Sequence, residues 1–301
     1  MPKLDNKVII LTITALFLLA IWLIPQAIKK PENSFNGELA YNFVEYQVAL
    51  GPRTPGSNAH ANAVSWIGAQ LSKSGWMVEI QETKRMGQSI NNVIGKMGVG
   101  QPWIILGAHY DSRLFADRDP NFTKRNLPVP GANDGASGVA VLLELSRVIP
   151  QYLDNDELNV KEIWLVFFDA EDNGNIPGWD WILGSQAFAD ELNGDFPDTV
   201  VIVDMVGDVD LNLYFEHNSD SVLSSQIWME AAKLGYSNVF IPVKKHRVID
   251  DHIPFLNKGI PAVDIIDIDY QYWHTTGDTT DKISSKSLDA VGETLLAWLA
   301  Q

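Results

Sequence analysis

The 301-residue sequence contains no cysteine, which excludes disulfides, thiolate metal sites and cysteine nucleophiles. Basic residues are scarce: 22 Lys and Arg stand against 38 Asp and Glu, a formal charge of −16. Nucleic acid is excluded as an expected partner, because phosphate binding needs a basic face. Internal repeats and low-complexity tracts are missing. An apolar share of 46% with a charged share of 20% excludes wholesale disorder. Any metal must therefore be held by histidine and carboxylate.

One long uncharged run is present, Val8 to Ile28, flanked by Lys3 and Lys7 on one side and Lys29 and Lys30 on the other. As a helix it would reach about 30 Å, enough to cross a bilayer. It is longer than the apolar region of a cleaved signal, about 7–15 residues, and ends in Pro25-Gln26 without an A-x-A pattern. Residues 1–30 are thus expected to be a single transmembrane anchor and 31–37 a linker, with the folded domain over 38–301. The flanking lysines nearly balance, so they set orientation only weakly; the expected placement of the domain is extracytoplasmic. Without the anchor's four lysines and Asp5 the body carries 18 basic and 37 acidic residues, net −19, and is repelled by anionic lipid.

The remainder predicts one α/β domain. Apolar residues at Ala63, Trp66, Ile67 and Leu71 give a helix over 58–74, with Gly75 as its C-cap. Strand-like runs follow at 77–82, 92–96 and 103–106, and buried strands at 163–168, 200–203 and 262–266. Helices are expected at 137–149, 185–192, 221–234 and 285–299. Such alternation implies a three-layer fold, a mostly parallel sheet with helices on both faces, whose ligand sits at the carboxyl ends of the strands.

Those strand ends carry the chemistry. The run 103–106 leads into His109-Tyr110-Asp111, and 163–168 into Asp169-Ala170-Glu171-Asp172. The run 200–203 ends in Asp204, and 262–266 is followed by Trp273-His274. A proline-containing loop over 112–130 leads to GANDGASG, with Asp134 just before a helix. Five segments deliver His109, Asp134, Glu171/Asp172, Asp204 and His274 to one edge. So many carboxylates together demand a cation. Nitrogen and oxygen donors without sulfur suit zinc, with manganese or cobalt open by ligand type alone. Asp111 is placed to orient the His109 imidazole. In an extended chain Glu171 and Asp172 point opposite ways, so one can ligate while the other acts as general acid or base.

The ordered set H-Y-D, G-A-N-D-G-A-S-G, F-F-D-A-E-D, V-D-M-V-G, D-D-H-I-P-F and W-H-T resembles the zinc aminopeptidase superfamily, and within it the glutaminyl-peptide cyclotransferase branch. The resemblance spans about residues 38–300. It implies Asp134, Asp172 and His274 as ligands of a single zinc, and Glu171 as general acid/base. In the two-zinc aminopeptidases of the superfamily, His109 and Asp204 match the ligands of a second ion, with Asp134 bridging. Asp250-Asp251-His252 resembles the cyclase stretch in which the second Asp, here Asp251, pairs with Asp204. Trp273 precedes the ligand histidine as in cyclases. Trp179 and Trp181 lie near where cyclases place an indole over the substrate; Trp179 is the expected substrate contact together with Trp273. Asp172 departs from the animal cyclases, which carry Glu there. Two activities remain open: cyclisation of N-terminal Gln with release of ammonia, and removal of an N-terminal residue at a two-metal site. Both imply peptide or protein N-termini as substrate.

Other polar residues have simpler expected roles. His60, His217 and His246 are expected at the surface, and His252 as a hydrogen-bonded structural residue. Asp169 is expected to cap or bond its strand end, and Asp264, Asp267 and Asp269 to be solvated. Arg113 and Arg118 either steer substrate or bridge loop carboxylates. Asn121-Phe122-Thr123 forms a glycosylation sequon if the source is a eukaryote and the loop is exported.

Overall fold

The computed structural model describes residues 34–192 and 194–301. The expected anchor, residues 1–30, lies outside the described residues, as do residues 31–33 of the linker. Among the described residues no helix is long and apolar enough to cross a membrane.

The strand-like runs assemble into a six-stranded sheet. In chain order its strands are β1 (Met77–Arg85), β2 (Gln88–Gly98), β3 (Trp103–His109), β4 (Glu162–Phe168), β5 (Thr199–Asp204) and, after two strands outside the sheet, β8 (Ala262–Ile266). Their spatial order is β1-β2-β4-β3-β5-β8. β4, β3, β5 and β8 run parallel, whereas β1 and β2 add an antiparallel edge. The sheet is thus mixed but mostly parallel, and its four parallel strands carry the site.

The continuous apolar runs follow from covering both faces. Ile104, Leu106, Ile163, Leu165, Phe167, Val201 and Val203 point into one core; Trp103, Ile105, Val166, Phe168, Val200 and Ile202 point into the other. The first face is covered by α1 (Gly37–Ala49), α2 (Asn58–Lys73), α3 (Ala136–Asp154), α5 (Ser221–Lys233) and α7 (Ser285–Leu299). The second is covered by α4 (Leu183–Glu191) and the short α6 (Ile253–Asn257). Two short strands, β6 (Leu213–Phe215) and β7 (Phe240–Lys244), form a separate parallel pair.

Four elements have no counterpart in the sequence reading: α1, β6, β7 and α6. The buried stripe of α1, Gly37, Ala40, Val44 and Gln47, holds one large apolar residue, so its periodicity is faint. The segment expected to stand off as linker is part of the body at its end. Phe35 is fully buried, and a Cβ on Gly292 would collide with its ring. Asn36 caps α1 through the amides of Glu38 and Leu39. The compact unit accordingly begins at Phe35.

α3 runs past the expected end at Ile149, through Pro150 to Asp154. Proline lacks the amide that would bond the carbonyl of Ser146. The Trp76 indole donates to that carbonyl instead, at 2.8 Å. β3 also runs further than expected, because its pairing with β4 continues through Ala108↔Phe167 and His109↔Phe168.

Candidate active site

The carboxyl ends of the four parallel strands deliver the predicted residues to one place. His109 ends β3 and Asp204 ends β5, while Glu171 and Asp172 follow β4 and His274 follows β8. Asp134 arrives from the turn before α3. There Gly135 has φ +96°, and a Cβ on it would collide with the Asp111 carbonyl oxygen and crowd His109. Only glycine lets the turn pass this close. Ala170, Met205 and His274 all have positive φ, at 51°, 47° and 56°. Each costs about 1–3 kcal/mol, and each adjoins or is a site residue, so packing holds strain where the chemistry is placed.

Two clusters of possible metal ligands share Asp134. His109, Asp134 and Asp204 form one; Asp134, Asp172 and His274 form the other. In each the ligand atoms lie within 4.8 Å of one another. Their surroundings differ. His109 Nε2 bonds Asp204 Oδ1 at 3.1 Å and Nδ1 bonds Asp111 Oδ1 at 3.3 Å, so both ring nitrogens are engaged. In the second cluster Asp134 Oδ2, Asp172 Oδ2 and His274 Nε2 are buried without any hydrogen-bond partner. His274 Nε2 lies 2.9 Å from Asp172 Oδ1 and 3.8 Å from Asp134 Oδ2. Leaving the Asp134 and Asp172 Oδ2 atoms unpaired costs free energy unless a cation completes them. The donor set, one imidazole and two carboxylates, fits zinc with a position open for substrate.

Supporting contacts fix these ligands. Asp111 orients His109 and also accepts the amides of Glu171 at 3.0 Å and Asp172 at 3.4 Å. Asp117 Oδ1 lies 3.5 Å from His274 Nδ1. Arg113 is buried and bridges: it donates to Asp117 at 2.7 Å, to the Asp172 carbonyl at 2.9 Å and to the Gly174 carbonyl at 3.1 Å. Asp278 accepts the amides of Asn133 and Asp134 at 2.8 and 3.2 Å, and the Tyr270 hydroxyl at 2.7 Å. Burial, aided by the charge of Asp134, pushes the Asp278 carboxyl up to about 7. The sequence reading missed Asp117 and Asp278; their signals were faint, a carboxylate in a loop and one four residues past His274.

Burial dominates the electrostatics. It raises Glu171 well above the carboxylate range, and Asp250 adds to the effect. It raises Asp204 to about 7, with Asp250 and Asp134 reinforcing it against His109. It raises Asp172 to about 6, again with Asp134. Burial opposes the charge on His274, yet Asp172 and Asp117 carry its pKa up to about 9.

The cavity over these residues has a volume of about 390 Å³. Asp134, Glu171, Asp172, Asp204 and Asp250 line its polar part, with Trp181 and Trp273 among its walls. Trp181 stacks over His274 with ring centroids 6.1 Å apart. Two expectations are corrected here. Trp181, not Trp179, reaches the cavity; Trp179 packs on Ile90, Ala170 and Leu183. Asp250, not Asp251, lines it and raises Asp204, whereas Asp251 is fully buried and its charge bears on Glu171.

Other polar residues also differ from expectation. His60 is buried, not exposed, and bonds Asp169 at 2.7 Å and the Tyr110 hydroxyl at 3.1 Å. Asp169 also accepts the Asn91 amide, which ties its strand end as expected. Asp264 and Asp267 are buried, not solvated: Asp264 lies within β8 and Asp267 accepts the Asn212 amide. Asp269 and His217 are exposed, and His246 is half-buried beside the cavity. His252 is fully buried, 3.3 Å from Glu216.

The model of peptidase family M28 matches residues 92–299. The chain belongs to this family. Among solved structures, a Porphyromonas gingivalis glutaminyl cyclase is 36% identical, with a TM-score of 0.81, covering 88% of this chain and 98% of its own. A Zn-dependent exopeptidase from Parabacteroides distasonis is 32% identical, with a TM-score of 0.80, covering 87% of this chain and 97% of its own. A curated relative, the glutaminyl-peptide cyclotransferase of Bos taurus, is 24% identical over 83% of this chain and 77% of its own length. The M28 match takes in every site residue named above, from His109 to Asp278.

Proposed function

We propose that this M28 chain is a zinc-dependent glutaminyl-peptide cyclotransferase that converts an N-terminal Gln of a peptide to pyroglutamate and releases ammonia. One zinc is assigned to Asp134, Asp172 and His274. The observation that carries the reading is the contrast between the clusters: unpartnered carboxylate oxygens of both Asp134 and Asp172 in one, a histidine with an aspartate on each ring nitrogen in the other. A single site of this kind suits cyclisation. The cavity supports it, being walled by Trp181 and Trp273 around a carboxylate floor that attracts an ammonium group.

When bound, zinc acts as a Lewis acid on the γ-amide carbonyl of the substrate. Glu171 accepts a proton from the α-amine, whose nitrogen then bonds the γ-carbon. The bond from that carbon to the amide nitrogen breaks, and Glu171 returns the proton to the departing ammonia. Asp204 and Asp250 hold the amine, and the indoles confine the Gln side chain so that its own amine is the nearest nucleophile.

The second reading, removal of the N-terminal residue, is favoured by one observation: His109, Asp134 and Asp204 also converge within 4.8 Å. Residues 31–301, supplied with zinc, separate the two when incubated with a Gln-initiated and a Leu-initiated peptide and read by mass spectrometry. Loss of ammonia from the first alone is expected. Loss of a whole residue from either peptide would establish the exopeptidase. The apolar run at residues 8–28 is assigned as an anchor, with the site on the extracytoplasmic side; its support is the length and flanks of that run.

A further inference from the structure

The indoles that wall the cavity also divide its mouth. On the Trp181 side Ile249 leads into a groove whose charged residues are Asp180, Asp190 and Lys258. On the Trp273 side His246 and Ile268 lead into a second groove, of about 460 Å³, lined by Arg118 and by no carboxylate. The Arg118 guanidinium lies 3.9 Å from the centroid of the Trp273 ring. Among the described residues no carboxylate pairs with it. The acids beside it in the chain are engaged elsewhere. Asp117 meets Arg113 and His274, and Asp119 accepts the Thr276 amide at 3.0 Å and the Asn121 amide at 2.8 Å. Asp269, next to Ile268, is paired with Lys245 at 2.6 Å.

A chain of formal charge −16 therefore keeps an unpaired arginine at the edge of its cavity. Stacking on an indole holds a guanidinium flat and leaves its N–H edge free for a carboxylate. A peptide whose first residue lies at the zinc cluster must lead its next residues out through the mouth. We infer that these residues run along the Trp273 groove and that Arg118 is a specificity-determining residue, selecting substrates with an acidic side chain directly after the N-terminal one. The inference rests on the peptide reading above.

Peptides beginning Gln-Glu and Gln-Lys on a common tail test it, with the matching Leu-Glu and Leu-Lys pair so that either chemistry is read in the same mass spectra. The ratio of kcat/KM for Glu over Lys is expected to be about tenfold in the parent protein and to shrink with added salt. Arg118→Gln should bring the ratio toward one, and Arg118→Glu should invert it. A merely structural Arg118 that props Trp273 would change the rates together and leave the ratio as it was. An unchanged ratio in Arg118→Glu overturns the inference and routes the peptide along the Trp181 side. Turnover of no peptide would overturn the proposed function, and this inference with it.

Discussion

Asp134 serves two clusters of the same composition, each with one histidine and two aspartates, and their neighbours set them apart. His109 has Asp111 at one nitrogen and Asp204 at the other, so a protonated imidazole closes that cluster without help. His274 has Asp117 at Nδ1 and Asp172 Oδ1 beside Nε2, while Oδ2 of Asp134 and Oδ2 of Asp172 have no hydrogen-bond partner. Ligand identity alone does not separate a metal site from an ion-paired one. What separates them is whether the remaining lone pairs already have partners.

The sharpest way to break this comparison is to remove one histidine at a time. His274→Ala should lose zinc, measured by elemental analysis, and with it several kcal/mol of transition-state stabilisation. His109→Ala should keep one zinc per chain. Two zinc ions in the parent and one in His109→Ala would make both clusters metal sites and favour the exopeptidase. Next in size, Glu171→Gln should retain zinc and lower kcat by about 10²–10⁴-fold, the usual worth of a general acid/base. A variant as active as the parent would remove Glu171 from the chemistry.

The two tryptophans extend the comparison from ligands to walls. Trp181→Ala should raise KM for a Gln peptide about tenfold, as expected for loss of one stacking surface, with melting temperature little changed. Trp179→Ala should do the reverse, costing about 1–2 kcal/mol of stability as a half-buried residue. Equal KM effects would dissolve the distinction.

The smallest effect concerns His60 and Asp169, a histidine–aspartate pair outside both clusters. Burial opposes charge on His60, but Asp169 more than offsets it, so its pKa lies above 6.5. The stability it contributes is therefore full below pH 6.5 and is lost as pH rises through the raised value. Burial also raises Asp169 despite His60, which gives the same sign. Thermal melts at increasing pH above 6.5 should show this decline, and His60→Gln should flatten it.

Much of this was legible in the chain. The four parallel strands are dense apolar runs because both faces of the sheet are covered, and their ends carry the site residues because a parallel sheet collects its carboxyl ends at one edge. The signals failed where burial is spread over small or polar residues, as in α1 with its Gln47. They failed again where a distant partner supplies what the local chain lacks, as Trp76 does for the Ser146 carbonyl beside Pro150. His60, Asp264 and Asp267 read as surface residues because composition does not reveal a partner far along the chain.

The sequence by itself determined the donor types, their order and the edge on which they meet. Those follow from strand periodicity and from the absence of cysteine. Only the tertiary structure decided which of two near neighbours lines the cavity: Trp181 over Trp179 and Asp250 over Asp251. Both choices lie in irregular backbone, where neither a period of two nor one of 3.6 fixes direction. There the facing of a side chain is set by contacts with segments remote in the chain.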